Sequence, residues 1–440
     1  MNKGKEMRLS PLGDIPRDWC YTTISDALSP GSKVTYGVVQ PGGEDINGVK
    51  FVRGGDIKSG KISNNLRTIS HTVSESYSRT LLKGGEVLIS LVGYPGQSAV
   101  VPKELAGANI ARQVALLSLS DDFEPYFVHY FLSSELGQKL LLSNLNGSAQ
   151  QVINLKDLAK VLIPKVLLKE QQKIAEILST VDKKIDLIDQ KIAETVKLKT
   201  GLMQKLFSEG VGVQDSDGNW QPHSEFQDSP FGKVPSSWAL ETLEQRLDVI
   251  KDGTHFSPKS KEGPCKYLTS KNIRFGELDL TNISYISQEE HDRIYKGSPV
   301  KYGDILLTKD GANTGNAAIN TLEEPFSLLS SVAYLRGSEK DVDHGYLLQL
   351  LLSPKGQSMM KSAMAGQAIT RLTLKKIGAF VLPFAPIDEQ NEIERILSTV
   401  DKKLQLLKKQ KSETQQLKKG LMQKLLTGEW RVPVEETEAA

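Results

Sequence analysis

The chain has 440 residues, 39% of them hydrophobic, and sets 55 Lys and Arg against 53 Asp and Glu for a formal net charge of +2. At roughly 100–200 residues per domain, that length implies two to four domains, and the ordinary composition excludes wholesale disorder. The charge gives no bulk electrostatic argument for nucleic acid, although charge can still be segregated onto one face. The longest apolar runs, such as Val87–Val92 and Phe326–Leu335, fall far short of the roughly 18 residues of a membrane span. The opening MNKGKEMRLSPLGD carries no apolar signal core. Cys20 and Cys265 are too few for a disulfide framework or a cysteine-based zinc site. Lone reduced thiols in a cytoplasmic protein are the expectation.

In chain order, residues 1–166 read as a mixed α/β domain of short strands and Gly-rich turns. Val87-Leu-Ile-Ser-Leu-Val92 has the character of a buried strand, Gly93-Tyr-Pro-Gly96 of the turn that closes it, and Phe127–Leu142 of a helix. Residues 167–209 follow as a long helix whose apolar stripe steps through Ile174, Leu178, Val181, Ile185, Ile188 and Ile192, with Leu202 and Leu206 beyond. Residues 210–230 are polar, Gly-rich and linker-like. Residues 231–385 repeat the domain pattern, with a strand at Asp304-Ile-Leu-Leu-Thr308, a turn at Gly311-Ala-Asn-Thr-Gly315 and a helix at Gly345–Met360. Residues 386–428 form a second long helix striped by Ile393, Leu397, Val400, Leu404 and Leu407. There the stripe is interrupted by Lys411 and Thr414 before Leu417, Leu421 and Leu425 resume it, and residues 429–440 are a tail. Prolines upstream (Pro164, Pro383, Pro386), Asp388 as N-cap, and Gly210 and Gly428 as stops frame the helices.

The two halves are one unit written twice. Residues 171–208 return at 390–427, an offset of 219, with 21 identities over 38 ungapped positions; ILSTVDKK and GLMQKL recur letter for letter. Weaker matches at the same offset join Gly13…Trp19 to Gly232…Trp238, and Gly147-Ser-Ala-Gln to Gly366-Gln-Ala-Ile. The globular segments share a pattern but few letters. Two equal stripes bury most simply against each other. Antiparallel pairing would set the globular segments at opposite ends of a rod of roughly 55 Å.

A search for chemistry ends without a catalytic constellation. The six histidines have no metal-ligand spacing, and nucleophile-elbow and dinucleotide-binding glycine patterns are absent. Gly55-Asp-Ile-Lys-Ser-Gly60-Lys61 has phosphate-loop spacing, but Ile62 replaces the Ser or Thr that would reach magnesium, so it reads as strand-turn-strand with Ser59-Gly60 at the tip. Asn146-Gly-Ser148 and Asn282-Ile-Ser284 match a glycosylation pattern that is inert without secretion. Two paired sets of loop residues remain, of types that read base edges or phosphates. The first is Tyr36, Arg53, Lys58, Tyr94, Gln97, Arg112 and Gln113. The second is Thr254, His255, Lys271, Asn272, Arg274, Lys309, Asn313 and Asn316.

Near-constant helices alternating with divergent globular segments resemble the DNA-specificity subunit of type I restriction–modification enzymes, over nearly the whole chain. The likeness rests on ILSTVDKK, LKxGLMQKL, the Glu170-Gln171 and Glu389-Gln390 pairs that open the helices, and the closing Leu-Leu-Thr-Gly-Glu-Trp-Arg-Val432. Asp252-Gly-Thr-His, Thr269-Ser-Lys-Asn-Ile and Gly303-Asp-Ile-Leu-Leu-Thr add to it. The first half departs, with Thr35-Tyr-Gly-Val-Val-Gln-Pro41 where the second has Asp252-Gly-Thr-His-Phe-Ser-Pro258, which implies that the halves read different sequences.

The resemblance implies a non-catalytic reader of double-stranded DNA, with no cofactor of its own. Each domain would bind one half of a split target, and the helix pair would set the gap, about one and a half turns of B-DNA at about 34–36 Å per turn. Two modification subunits carrying S-adenosylmethionine would dock on the helices, and two ATP- and magnesium-dependent restriction subunits would join them. Alone, such a chain would bind DNA weakly and with steep salt sensitivity. Two readings compete: a stand-alone DNA methyltransferase or nuclease, which would need a cofactor loop and catalytic motif, and a scaffold joining two protein-binding domains.

Overall fold

The computed structural model describes residues 6–143, 152–364 and 371–433. The Gly147 and Gly366 tetrapeptides and Asn146-Gly-Ser148 lie outside the described residues. Contacts divide the chain into two units, Met1–Asp189 with Lys409–Ala440, and Gln190–Lys408. Each globular segment thus shares a unit with the first part of its own helix and the last part of the other. Both helices, Leu168–Glu209 and Ile387–Leu426, run unbroken past the division.

In the first unit a four-stranded antiparallel sheet has the order Ser98–Val100, Val87–Ser90, Val114–Leu117, Thr35–Tyr36. Beside it Val49–Val52 pairs antiparallel with Arg67–Ile69 and parallel with Asn109–Ile110. Cys20–Thr23 pairs with Leu162–Lys165, joining the start of the domain to its end. The second unit repeats this: Val249–Asp252, Val332–Arg336, Ile305–Thr308 and Ala317–Ile319 form the larger sheet. Ser284–Ile286, Cys265–Leu268 and Ser327–Leu328 form the smaller one, and Ala239–Thr242 pairs with Val381–Phe384. The strands Val87–Ser90 and Ile305–Thr308 are buried along their whole length, as apolar runs without alternation require.

The helix expected over Phe127–Leu142 is two, Pro125–Ser133 and Glu135–Leu142, and the one over Gly345–Met360 is likewise His344–Leu352 and Pro354–Met364. The break has one cause in both. Ser134 and Ser353 leave helical geometry, and their hydroxyls accept the N–H of Gly137 and Gly356 at 3.1 and 3.0 Å. A Cβ on those glycines would sit 2.0 Å from the Phe131 carbonyl oxygen and 2.3 Å from that of Leu350, so only glycine permits the turn. Gln138 and Gln357 then donate to Gly96 and Gly315, both at 2.9 Å, fixing the turn after the central strand.

Within each unit the long-helix segments run antiparallel. In the first, Asp182 pairs with Lys418 and Asp189 with Lys411, both at 2.6 Å, so seven residues forward on one helix match seven back on the other. In the second, Lys199 pairs with Asp401 at 2.7 Å, and twelve residues on Glu389 takes the N–H groups of Val211 and Gly212. Ile174, Leu178, Ile188 and Leu425 are buried in the first unit, and Val181, Ile185 and Leu421 are half-buried. In the second, Leu206, Ile393, Leu397, Leu404 and Leu407 are buried, with Ile192, Leu202 and Val400 half-buried. The interruption at Thr414 is buried too, its hydroxyl donating to the Gln410 carbonyl at 2.7 Å, and Thr195 does the same to Lys191. Asp388 lies inside the first turn rather than at the cap, where its charge suits the helix dipole.

The stretch expected to be a linker and the start of the tail are both built in. Residues 210–230 hold the hairpin Val213–Gln214 with Trp220–Gln221 and the strand Phe226–Ser229, which pairs with Gly232–Pro235. Buried Glu389 explains why: it accepts Val211 N–H, Gly212 N–H, Trp238 Nε1 at 2.8 Å and His223 Nε2 at 3.0 Å. In the tail, Arg431 grips Glu170 at 2.7 and 2.9 Å and Asp18 at 2.9 and 3.0 Å, and Val432 is buried. The repeated Glu therefore anchors the segment that leaves the opposite helix, with different partners each time. The following Gln171 and Gln390 each donate to two carbonyls and accept one backbone N–H, clasping the helix start to its domain.

Candidate nucleic-acid interface

The first loop set comes together. Ile57–Lys58 and Lys61–Ile62 form a hairpin with Ser59 and Gly60 at φ 50° and 79°, the strand-turn-strand expected in place of a phosphate loop. Lys58 Nζ lies 5.5 Å from the centre of the exposed Tyr94 ring, and the Ser59 N–H donates to Gln97 Oε1 at 3.3 Å. Arg112 and Gln113 are exposed on the neighbouring turn, held by Arg112 N–H to the Val38 carbonyl and Leu91 N–H to the Gln113 carbonyl. Tyr36, opposite Ala115 on the edge strand, is exposed. Arg53 is engaged within its own loop, where Nε and Nη2 each donate to the Asp56 carboxylate at 3.0 Å, and this pairing raises the Arg53 pKa further. Beneath the hairpin tip, buried His129 bonds Ser98 Oγ through Nδ1 at 2.9 Å. Burial, with nearby Lys418 adding to it, pushes its pKa down to about 4, so the ring is neutral.

In the second set, the residues also converge, but burial divides them. Thr254, Lys309 and the 329–332 turn touch through Ser330 N–H to the Thr254 carbonyl and Lys309 N–H to the Ser331 carbonyl. Asn316 Nδ2 donates to the Ile273 carbonyl at 3.2 Å, and Asn313, half-buried, accepts the Asn316 N–H. His255, Lys271 and Arg274 face solvent, Arg274 paired with Asp279 at 3.1 Å. Asn272, Lys309 and Thr254 do not. Asn272 is buried, accepts Thr269 N–H and donates to the carbonyls of Asp279 and Asn282, which makes it the brace of its own loop. Lys309 is 2% exposed and paired with Asp252 at 3.1 Å, and Asp252 also lies 3.5 Å from His255. Thr254 is buried and accepts Phe256 N–H. These three shape the surface from below.

The divergent motifs occupy the same place in the two folds. Gly37 and Gly253 each pass so close to a neighbouring strand that a Cβ would lie 1.8 Å from the Ile110 carbonyl oxygen or 2.0 Å from that of Leu328. The residue before each glycine differs. Tyr36 and Leu91 line an open concavity of about 510 Å³ with Ile153, Asn154, Leu155, Lys156 and Asp157. In the second unit Asp252 precedes Gly253, and its ion pair with Lys309 fills the matching position. One scaffold carries an open slot walled by Tyr36, Leu91, Ile153 and Leu155 with Asn154, Lys156 and Asp157, the other a buried charge pair.

Sequence reasoning missed Phe256 and Arg293. The guanidinium sits 4.2 Å above the exposed Phe256 ring, beside His255. The only signal was the aromatic following Thr254-His255, because Arg293 lies on the helix Gln288–Gly297, remote in sequence. Among the described residues no cluster of His, Cys, Asp and Glu could hold a metal ion, and no helix is long and apolar enough to cross a membrane.

Comparison with known proteins meets this geometry twice along the chain. The family model of the type I restriction modification DNA specificity domain matches residues 44–197 and again 250–416. The MjaVIII type I restriction enzyme specificity subunit of Methanocaldococcus jannaschii is 26% identical over 310 residues, 69% of this chain and 70% of the relative. The MjaIX specificity subunit of the same organism is 22% identical over 441 residues, 97% of each. In fold, the type I S subunit from M. genitalium matches with a TM-score of 0.54 at 18% identity, over 92% of this chain and 96% of that one. Matched through both of its recognition segments and into both long helices, the chain belongs to the type I restriction–modification DNA-specificity family.

Proposed function

We propose that the chain is the reading subunit of a type I restriction–modification complex, each globular domain binding one half of a bipartite double-stranded target. The observation that carries this is the pair of loop sets on one repeated topology, with an open slot beside Tyr36 in one and the Asp252–Lys309 pair in the other. Equal scaffolds with unequal surfaces suit two different half-sites read by a few base-edge contacts, each worth about 1–3 kcal/mol. The helices fix the gap between half-sites and dock two modification subunits. Four exposed leucines support the docking: Leu187 and Leu198 recur at the 219-residue offset as Leu406 and Leu417, all more than half exposed. S-adenosylmethionine belongs to the modification subunits, and ATP and magnesium to two restriction subunits that complete the assembly on DNA in the cytoplasm.

The test is co-expression with the cognate modification subunit and sequencing of methylated adenines across the host DNA. A bipartite motif with a fixed unread gap is expected. Arg112→Ala should relax the sequence required in the half-site read by the first domain while the other half-site stays fully specified. A continuous motif, or methyl transfer by this chain alone, would refute the reading.

A further inference from the structure

In each unit one aspartate of the repeated ILSTVDKK motif ties three elements together. Asp182, on the first long helix, takes Lys418 Nζ from the second at 2.6 Å and the Tyr130 hydroxyl of helix Pro125–Ser133 at 2.7 Å. Lys418 also lies 5.1 Å from the Tyr130 ring centre. Asp401 takes Lys199 Nζ from the opposite helix and the Gln349 amide of helix His344–Leu352, each at 2.7 Å. All three positions are related by the 219-residue offset. The lysine side chains are only 23% and 16% exposed, so these pairs are neither free surface ions nor fully enclosed ones.

Partly buried ion pairs add little net stability compared with apolar side chains, but they penalise wrong alignments, because a slipped helix strands a charge. Seven residues of slip would leave apolar stripe over apolar stripe. It would also set Asp182 against Leu425 in one direction, and Asp189 against Leu404 in the other. The apolar seam alone cannot choose among these registers; the carboxylates can. Tyr130 and Gln349 extend the choice to the domain, since each comes from the helix that packs on its central sheet.

We propose that Asp182–Lys418–Tyr130 and Asp401–Lys199–Gln349 are register clamps that hold the helix pair in one axial alignment, seat each recognition domain on it, and so fix the number of base pairs between the half-sites. They are positioning residues, outside the recognition loops themselves. The proposal rests on the reading of the chain as the bipartite DNA reader. Its test is the spacer of methylated sites in cells expressing the whole complex with Asp182→Lys, Lys418→Asp, or both. Each single change should lower the preference for the native spacer over neighbours one base pair longer or shorter by about tenfold or more, and the charge swap should restore it. The half-site sequences should not change in any variant. Tyr130→Phe and Gln349→Leu, which leave both ion pairs, should relax the spacer by a few-fold and guard against single variants that fail to fold.

An unchanged spacer preference in folded single variants and in Tyr130→Phe would overturn the proposal. So would loss of methylation that the swap does not rescue and the milder variants do not turn into altered spacing. A wild-type pattern with no bipartite motif would sink the recognition reading itself, and the clamp with it, before any variant is compared.

Discussion

His129 shows how one residue can make a domain acid-sensitive. It is buried under the hairpin tip, bonded to Ser98 and beside Tyr130 within the fields of Lys418 and Asp182, with its pKa pushed down to about 4 from an ordinary 6.5. A histidine lowered in the fold binds its proton more readily when unfolded. Its contribution to stability is complete above pH 6.5 and is lost as the pH falls toward 4. Between pH 7 and 5 the loss is about 2 kcal/mol. The corresponding position of the second unit is Leu348, so His129→Leu should flatten this part of the pH dependence in thermal unfolding. An unchanged slope in the variant would refute the assignment. At this scale the sequence was only partly legible. Residue types that suit DNA were visible at Lys309 and Asn272, but burial and the Asp252, Asp279 and Asn282 partners turn both inward. Those partners lie 7 to 57 positions away in sequence, and no local pattern announces them.

Among elements, the long helices were the most readable, because a 4-3-4-3 apolar stripe is a direct consequence of 3.6 residues per turn. The broken helices at Ser134 and Ser353 were not: the apolar pattern continues across the break, and only the Ser-x-x-Gly-Gln letters shared by 134–138 and 353–357 mark it. Glycines test this distinction. Gly137→Ala must displace the Phe131 carbonyl, and should cost about 1–3 kcal/mol or more in urea unfolding of the first unit. Gly201 and Gly420, in contrast, have nothing within 4 Å of where a Cβ would stand and sit inside exposed helix, so Gly201→Ala and Gly420→Ala should each stabilise by up to about 1 kcal/mol. Equal effects at Gly137 and Gly201 would refute the account of the break. The order of the linker-like stretch 210–230 and of tail residues 429–433 escaped composition-based reading for a related reason. Their order depends on Glu389 and Glu170, which the repeat marks but whose partners it does not.

At the scale of the whole molecule, the 219-residue offset made the architecture legible when the net charge of +2 said nothing, because a duplicated sequence must fold twice. The structure then corrects where a recognition domain can be cut. A junction at residue 231 splits the pair of strands Phe226–Ser229 and Gly232–Pro235. Any exchanged segment must also keep a tryptophan at position 238, since losing its Nε1 donor leaves buried Glu389 short of a partner. Exchange of residues 224–385 for the matching segment of another family member, with that tryptophan and Gln349 present, leaves both long helices, the Asp401 clamp and His223 native. Methylation mapping of the chimaera should then show one half-site replaced, the other half-site and the spacer unchanged. If both halves change, the domains do not read independently. If the spacer changes while the half-site of the first domain is kept, the exchanged domain is itself part of the ruler, and the helix pair with its clamps does not set the gap alone.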